Sequence, residues 1–432
     1  MDAITDAMKR NPDAAPCSPM LRRWLRIAAL VAALALGLGL LAGWLLQPQR
    51  AGRLLLSLAG DALALDLHAG RIDYRLRGTP QLVLEDVTAQ RPGDAAALLR
   101  AKRVFVALPW RTLRSRGAEL TVQRIELDAP VLDVPALQRW LATRPPSGET
   151  RIPVLTDGLR VREGRIDNDD WRIDGLAIDL PSLHPQRSLR ARVRGRYLDP
   201  PISMPADLAI AVANPQRLLD GSFSGVAGVG ALTVVDAGWR VPAQVFLAGP
   251  LRLGKDSALM RPARLGIAAR YLSGASSIPF RLGLYGPMAF NNATWRFVPV
   301  AVALDGDGLV PDARARGSLS VGRGLRLHLD GVLADWPNSW PALPPPLSAS
   351  TSPLPFALDY SGALAFSDPV SLSLRRDATI LGTRFQLPDM LAWLDAGSQG
   401  SPLPPLVGTL STPRVELDGA TLDGVQIELS EE

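Results

Sequence analysis

The chain has 432 residues, 47% of them hydrophobic and 21% charged, which is the profile of a folded protein and excludes a disordered tail. Glycine and proline, at 38 each, favour strands broken by frequent turns over long helices. The net charge of +5 rests on 47 basic and 42 acidic residues scattered along the chain without interleaved aromatics, which argues against nucleic acid as a partner, and one cysteine, Cys17, excludes an internal disulfide framework or a CxxC site.

Residues 1–23 form an N-terminal tail. Trp24 to Leu46 then runs apolar with a single charge, Arg26. At 1.5 Å per residue such a run reaches roughly 35 Å, enough to cross a bilayer core. Arg22, Arg23 and Arg26 lie at its start and Gln47-Pro48-Gln49 at its end, so the positive-inside rule places the N-terminus in the cytoplasm and exports the remainder. The run is too long for a signal peptide and lacks a small-residue cleavage pattern. The expectation is a single uncleaved anchor in a bacterial inner membrane, with the bulk of the chain in the periplasm.

Beyond the anchor, period-two alternation dominates. Leu63, Leu65 and Leu67 alternate with Ala64, Asp66 and His68, and Ile72 and Tyr74 with Asp73 and Arg75. Val104, Val106 and Leu108 continue the pattern, as do Leu120 and Val122. Farther on, Ala191 and Val193 alternate with Arg190, Arg192, Arg194 and Arg196, and similar runs occur at 313–321, 325–329, 370–374 and 425–429. Alternation of this kind marks strands with one apolar and one wet face. The arginine face of 190–196 is expected to be a solvated face that discourages edge pairing. Asp-Gly at 157–158, 174–175, 330–331, 418–419 and 423–424 predicts hairpin turns. Short helices are predicted at Arg50–Leu58, Ala95–Ala101, Pro135–Leu141 and Pro388–Leu394. Loops are predicted at Ala142–Pro153, Trp336–Pro355 and Gly397–Pro405. The chain thus divides into a tail (1–23), an anchor (24–46), an N-terminal β region (47–141) and a repetitive strand region (142–432).

So many one-sided strands with so few helices require a second packed sheet, a closed barrel, or a curved sheet whose apolar face holds a ligand. Residues 21–141 resemble the AsmA-like family of envelope proteins. The resemblance lies in the basic start and anchor, Leu82-Val83-Leu84-Glu85-Asp86-Val87, Leu98-Leu99-Arg100-Ala101-Lys102-Arg103-Val104, and Val122-Gln123-Arg124-Ile125-Glu126-Leu127-Asp128-Ala129-Pro130. It covers about a quarter of the chain, and the remainder only in texture. It implies an elongated, curved antiparallel sheet forming a groove, and a role in lipid traffic or outer-membrane biogenesis. The partners implied are the membrane and a phospholipid or other acyl lipid, with envelope proteins as further candidates. About 18 strands at ~4.8 Å spacing would span only roughly 85 Å. Leu63, Leu65, Leu67, Val104, Val106, Leu108, Leu120 and Val122 are the candidate lining. The alternative is a secretion or assembly scaffold resembling the type II secretion N component, marked by a packed two-sheet core.

No catalytic constellation is legible. Gly221-Ser222-Phe223-Ser224-Gly225 has the letters of GxSxG, but glycine-rich sequence follows where the nucleophile elbow needs a helix. His68, His184 and His328 are the only histidines, and Asp305-Gly306-Asp307-Gly308 lacks further spaced oxygen donors for calcium. The expectation is a non-enzymatic protein without metal or cofactor.

Overall fold

A computed structural model describes Leu56, Gly60 and residues 64–430, apart from 95, 115–120, 144–151, 255, 275, 341, 344, 349, 365, 397–403 and 418–419. The apolar run Trp24–Leu46, Cys17 and most of the predicted helix Arg50–Leu58 lie outside the described residues. Among those described, no helix is long and apolar enough to cross a membrane.

Of the described residues 65% are strand and 9% helix, and they form one large curved mixed sheet. The first strands are β1 (Asp66–His68), β2 (Arg71–Arg75), β3 (Gln81–Gln90) and β4 (Ala97–Ala107). β5 (Thr121–Val122), β6 (Arg124–Asp128), β7 (Val131–Asp133), β8 (Val154–Leu155) and β9 (Leu159–Asp167) follow. A long meander continues through β10 (Arg172–Leu180), β11 (Leu189–Asp199), β12 (Ile202–Val212), β13 (Ser224–Val235) and β14 (Arg240–Leu253). Its longest strands are β15 (Ser257–Ser273), β16 (Ser276–Asn291) and β17 (Thr294–Gly306). β18 (Ala313–Val321), β19 (Leu325–Leu333), β20 (Leu354–Gly362), β21 (Pro369–Arg376), β22 (Thr379–Gln386), β23 (Val407–Leu417) and β24 (Ala420–Leu429) complete it.

The main sheet holds 22 of these strands, and β5 and β8 pair separately. From β9 to β24 each strand pairs antiparallel with the next. At ~4.8 Å per strand step the ladder runs roughly 90 Å along its curve, longer than the sequence estimate because more strands form. The expected all-antiparallel sheet is corrected at one place. β6 and β7 pair parallel with β9, and the connection between them carries the helix Val134–Thr143. A parallel step needs such a crossover, and this one bridges residues 141 and 142 within a continuous sheet.

Other expectations also change. Ala95–Ala101 is not a helix, because Ala97–Ala107 is strand β4; Ala and Leu favour helix, but pairing of Leu99 with Ala89 and Ala101 with Val87 prevails. Asp174-Gly175, Asp330-Gly331 and Asp423-Gly424 lie inside strands and make no hairpins. At Gly331 a Cβ would stand 2.4 Å from the Arg314 carbonyl oxygen, so this glycine serves close strand approach and not a turn. The helices Val134–Thr143 and Leu387–Ala396 stand where helices were predicted, whereas the single turns at Trp110–Arg114, Pro215–Leu219 and Pro345–Ser348 were not. Asp86, with φ +51°, interrupts the alternation of β3, so that Leu84 and Val87, three apart, are both buried in one cluster with Leu56 and Ile72.

A line of prolines bends the long strands. Pro250, Pro262, Pro287 and Pro299 occupy neighbouring levels of β14 to β17, and each pairing shifts register there. Proline cannot donate to a ladder: Pro262, Pro287 and Pro299 drop out of the pairing on both sides, and Pro250 on its β15 side only, and each break admits a bulge. The most buried side chains of the sheet centre, Ala263 (0% exposed), Val300 (1%) and Met260 (2%), flank this line.

Candidate functional site

Directly opposed residues of paired strands share a face, so the registers trace rows across the sheet. One row begins Ile72–Leu84–Val104–Leu127 and passes the parallel step to Val161. It continues through Ile178, Val193 and Leu208 to Gly230 on β13. From there it runs Val245–Ile267–Leu282–Leu304 and finishes Ala313–Leu333–Leu354 on β20. No polar side chain interrupts it. Gly230 is its one position without a side chain, because a Cβ there would stand 2.1 Å from the Asp207 carbonyl oxygen of β12.

A neighbouring row on the same face runs from Ala191 and Ile210 through Leu247, Leu265 and Leu284 toward Leu374 and Leu410. A third, on the other flank, joins Gly195, Ala206, Leu232, Ala243, Ala269 and Phe280. From β11 to β16 the apolar face is therefore at least three rows deep, about 13 Å along the strands.

Burial differs along the main row. At its start Ile72 and Leu84 are buried with Leu56, and nearby Ala136 of the helix Val134–Thr143 packs on Leu65, Ala89 and Leu98. At its finish Leu333 and Leu354 are buried under Leu347, with Trp336 and Leu343 alongside. Between them every residue from Ile178 to Ala313 is only half-buried. The buried cluster of this middle part is built from strand residues alone, among them Met288, Phe297 and Leu329. Side chains of this face are buried although no described helix covers them, the burial expected on the inside of a curved sheet, and it is called the inner face.

The opposite face carries the charge. Arg103 bonds Asp128 at 3.0 Å, and Arg124 and Arg103 both approach Glu126. Arg192 holds Asp207 bidentate at 2.7 and 2.8 Å; that hydrogen bonding keeps the Asp207 carboxyl below and the guanidinium above their ordinary pKa values. His328 lies 2.6 Å from Asp359 and 3.1 Å from Asp330, and its pKa is raised, chiefly by the hydrogen bond to Asp359. A shallow depression at the ends of β14 to β17 is rimmed by Gln244, Arg270 and the Arg281–Asp305 pair.

Of the candidate lining residues, Val104 and Val106 stand on the inner rows, Val106 between Leu82 and Ile125. Leu67 pairs with Ala89, and Leu65 is buried beneath the crossover helix. Leu63 and Leu120 lie outside the described residues. Leu108 falls past the end of β4, where its N–H donates to the Pro80 carbonyl, and Val122 belongs to the separate β5–β8 pair. These two are removed from the lining: the chain leaves the main sheet after Ala107 and rejoins it only at Arg124. The half-buried residues of β10 to β18 were missed. Their alternation is blurred where small apolar residues occupy both parities, as in Val226-Ala227-Gly228-Val229-Gly230-Ala231.

Ser224 of the GxSxG letters opens β13 after the helix Pro215–Leu219, the reverse of strand-then-helix order, and its buried hydroxyl accepts the Asn214 N–H. Among the described residues no group of three or more His, Cys, Asp or Glu could hold a metal ion. No family model, curated protein or solved structure matches the chain.

Proposed function

We propose that this is an AsmA-like, membrane-anchored periplasmic protein whose curved sheet forms a groove that binds or conducts lipid acyl chains. The process is non-enzymatic and serves outer-membrane biogenesis or lipid homeostasis. The observation that carries it is the main row, apolar from β2 to β20, buried at both ends and half-exposed from Ile178 to Ala313. A long apolar strip left partly open to water is costly unless something apolar covers it, and an acyl chain needs no polar partner along its length. Headgroups would stay at the wet margins. The scaffold alternative would be marked by a packed second sheet; among the described residues the second sheet is only β5 with β8, which supports the lipid reading.

The full chain, extracted in mild detergent and exhaustively washed, is expected to retain near-stoichiometric acyl lipid, measured by mass spectrometry of its organic extract. Leu208→Asp and Ile267→Asp, which charge the open part of the row, should lose most of it. Lipid-free wild-type protein, or equal retention by the variants, would argue for the scaffold.

A further inference from the structure

Two adjacent rows of the outer face of β12 to β17 are also mainly apolar, flanked by the charged row Arg194, Asp207, Ala231, Gln244, Ala268, Arg281 and Asp305. One outer row reads Arg192, Ala209, Val229, Phe246, Gly266 and Gly283, then Ala303 and Arg314. Its neighbour starts at Arg190, crosses Ala211, Ala227 and Ala248 to Arg264 and Tyr285, and closes through Ala301 on Arg316. Both rows begin with arginine on β11, finish with arginine on β18, and hold mostly alanine and glycine between. Val229, Phe246 and Tyr285 project from this low platform and are 54%, 45% and 51% exposed. An antiparallel sheet exposed to water on one face normally carries polar residues there.

The arginine borders do not protect an edge. β11 lies inside the sheet, paired along its whole length with β12 and over most of it with β10, which corrects the edge-blunting expectation. Arg192 is engaged by Asp207, whose carboxyl also feels Arg194, and Arg316 stands opposite Asp330, which His328 binds. Among the described ion pairs none involves Arg190, Arg264, Arg314 or Arg316.

We infer that this platform rests on an anionic membrane surface, with Val229, Phe246 and Tyr285 in the interfacial layer and the border arginines on lipid phosphates. Aromatic and apolar tips among cations suit that layer. Two copies packed through this face would set arginine border over arginine border. A protein partner would need relief and pockets to anchor on, whereas a phosphate surface matches a low strip that ends in arginine on β11 and on β18 and whose flanking carboxylates, Asp207 and Asp305, are each paired with an arginine. The inference rests on the anchored reading of Trp24–Leu46, which raises the local concentration of bilayer, and not on lipid binding by the inner face.

The test uses the full chain carrying Cys17→Ser and Val229→Cys, labelled at the new cysteine with a polarity-sensitive dye. It is reconstituted into vesicles of phosphatidylcholine with or without phosphatidylglycerol. Emission is expected to shift blue only with phosphatidylglycerol and to return on adding salt. Each of Arg190→Gln, Arg264→Gln, Arg314→Gln and Arg316→Gln should lower the docked-to-free ratio roughly five-fold. These residues are exposed, so unchanged circular dichroism will show that the variants fold. Identical emission in both vesicles overturns the inference. So does a shift that needs higher protein density, which indicates a second copy, or one that appears only with an added acidic protein. A second label at Leu208→Cys on the inner face, read for displacement by acyl lipid, reports the groove separately.

Discussion

The two ends of the sheet and its centre use the same apolar row differently. At the ends, a helical segment or loop lies over the row: Leu56 and the helix Val134–Thr143 at one, Leu347 with Trp336 at the other. In the centre, from β10 to β18, the row is covered by no described helix, and Pro215–Leu219 touches β13 and β14 beside Ser224, away from it. The ends are therefore a conventional core, in which apolar burial stabilises the fold. The centre keeps an equally apolar surface half-open and gains less stability from it. The line of prolines beside Met260, Ala263 and Val300 supplies the central part with tight packing that no described helix provides.

Mutations can break this contrast. Val300→Asp puts an unpaired charge beside the proline line and should cost about 4 kcal/mol or more. Leu208→Asp, half-exposed in the open part, should cost only about 1 kcal/mol while removing bound lipid. Denaturant unfolding of both variants checks the difference, and equal losses would mean that the centre is a closed core. Next in size, Leu347→Ala, at 0% exposure in the covering segment, should cost about 2–4 kcal/mol and leave lipid retention unchanged.

The smallest effect concerns pH. His328 is exposed on the outer face, and its folded pKa lies above the ordinary 6.5. A raised value means that the folded protein holds the proton more tightly than the unfolded chain. Its contribution is then full below the unfolded pKa and fades as pH rises through the folded one. Thermal unfolding of wild type should thus show a slight loss of stability as pH rises above 6.5 and through the folded pKa, reduced in Asp359→Asn, where only Asp330 remains as a partner. An identical slope in the two proteins would remove the His328–Asp359 pair from the account.

Much of the fold was legible in the sequence because alternation survives in strands such as 189–196, where arginine marks one face and Ala191 and Val193 the other. It fails where the outer face is itself alanine and glycine, as in β13, so neither parity stands out. Position along the chain misled the choice of lining: Val104 and Val106 stand on the inner rows, but Leu108 and Val122 flank a departure from the sheet that no local pattern announces. The bend was hidden as well, since Pro250, Pro262, Pro287 and Pro299 look like separate strand breakers until register aligns them. Asp-Gly was read as a turn at Asp330-Gly331, where the demand for a missing Cβ comes from the backbone of the adjacent strand β18.

The most direct measurement is photo-crosslinking in cells, with a photoreactive residue placed singly at Ile178, Leu208 or Ile267 on the open row, at Leu354 under its cover, and at Ala209 on the outer face. Adducts of phospholipid mass at the three open positions, and none at Leu354, are expected if the central row carries acyl chains. Protein adducts at the open positions, or no lipid adduct at any of them, would contradict it.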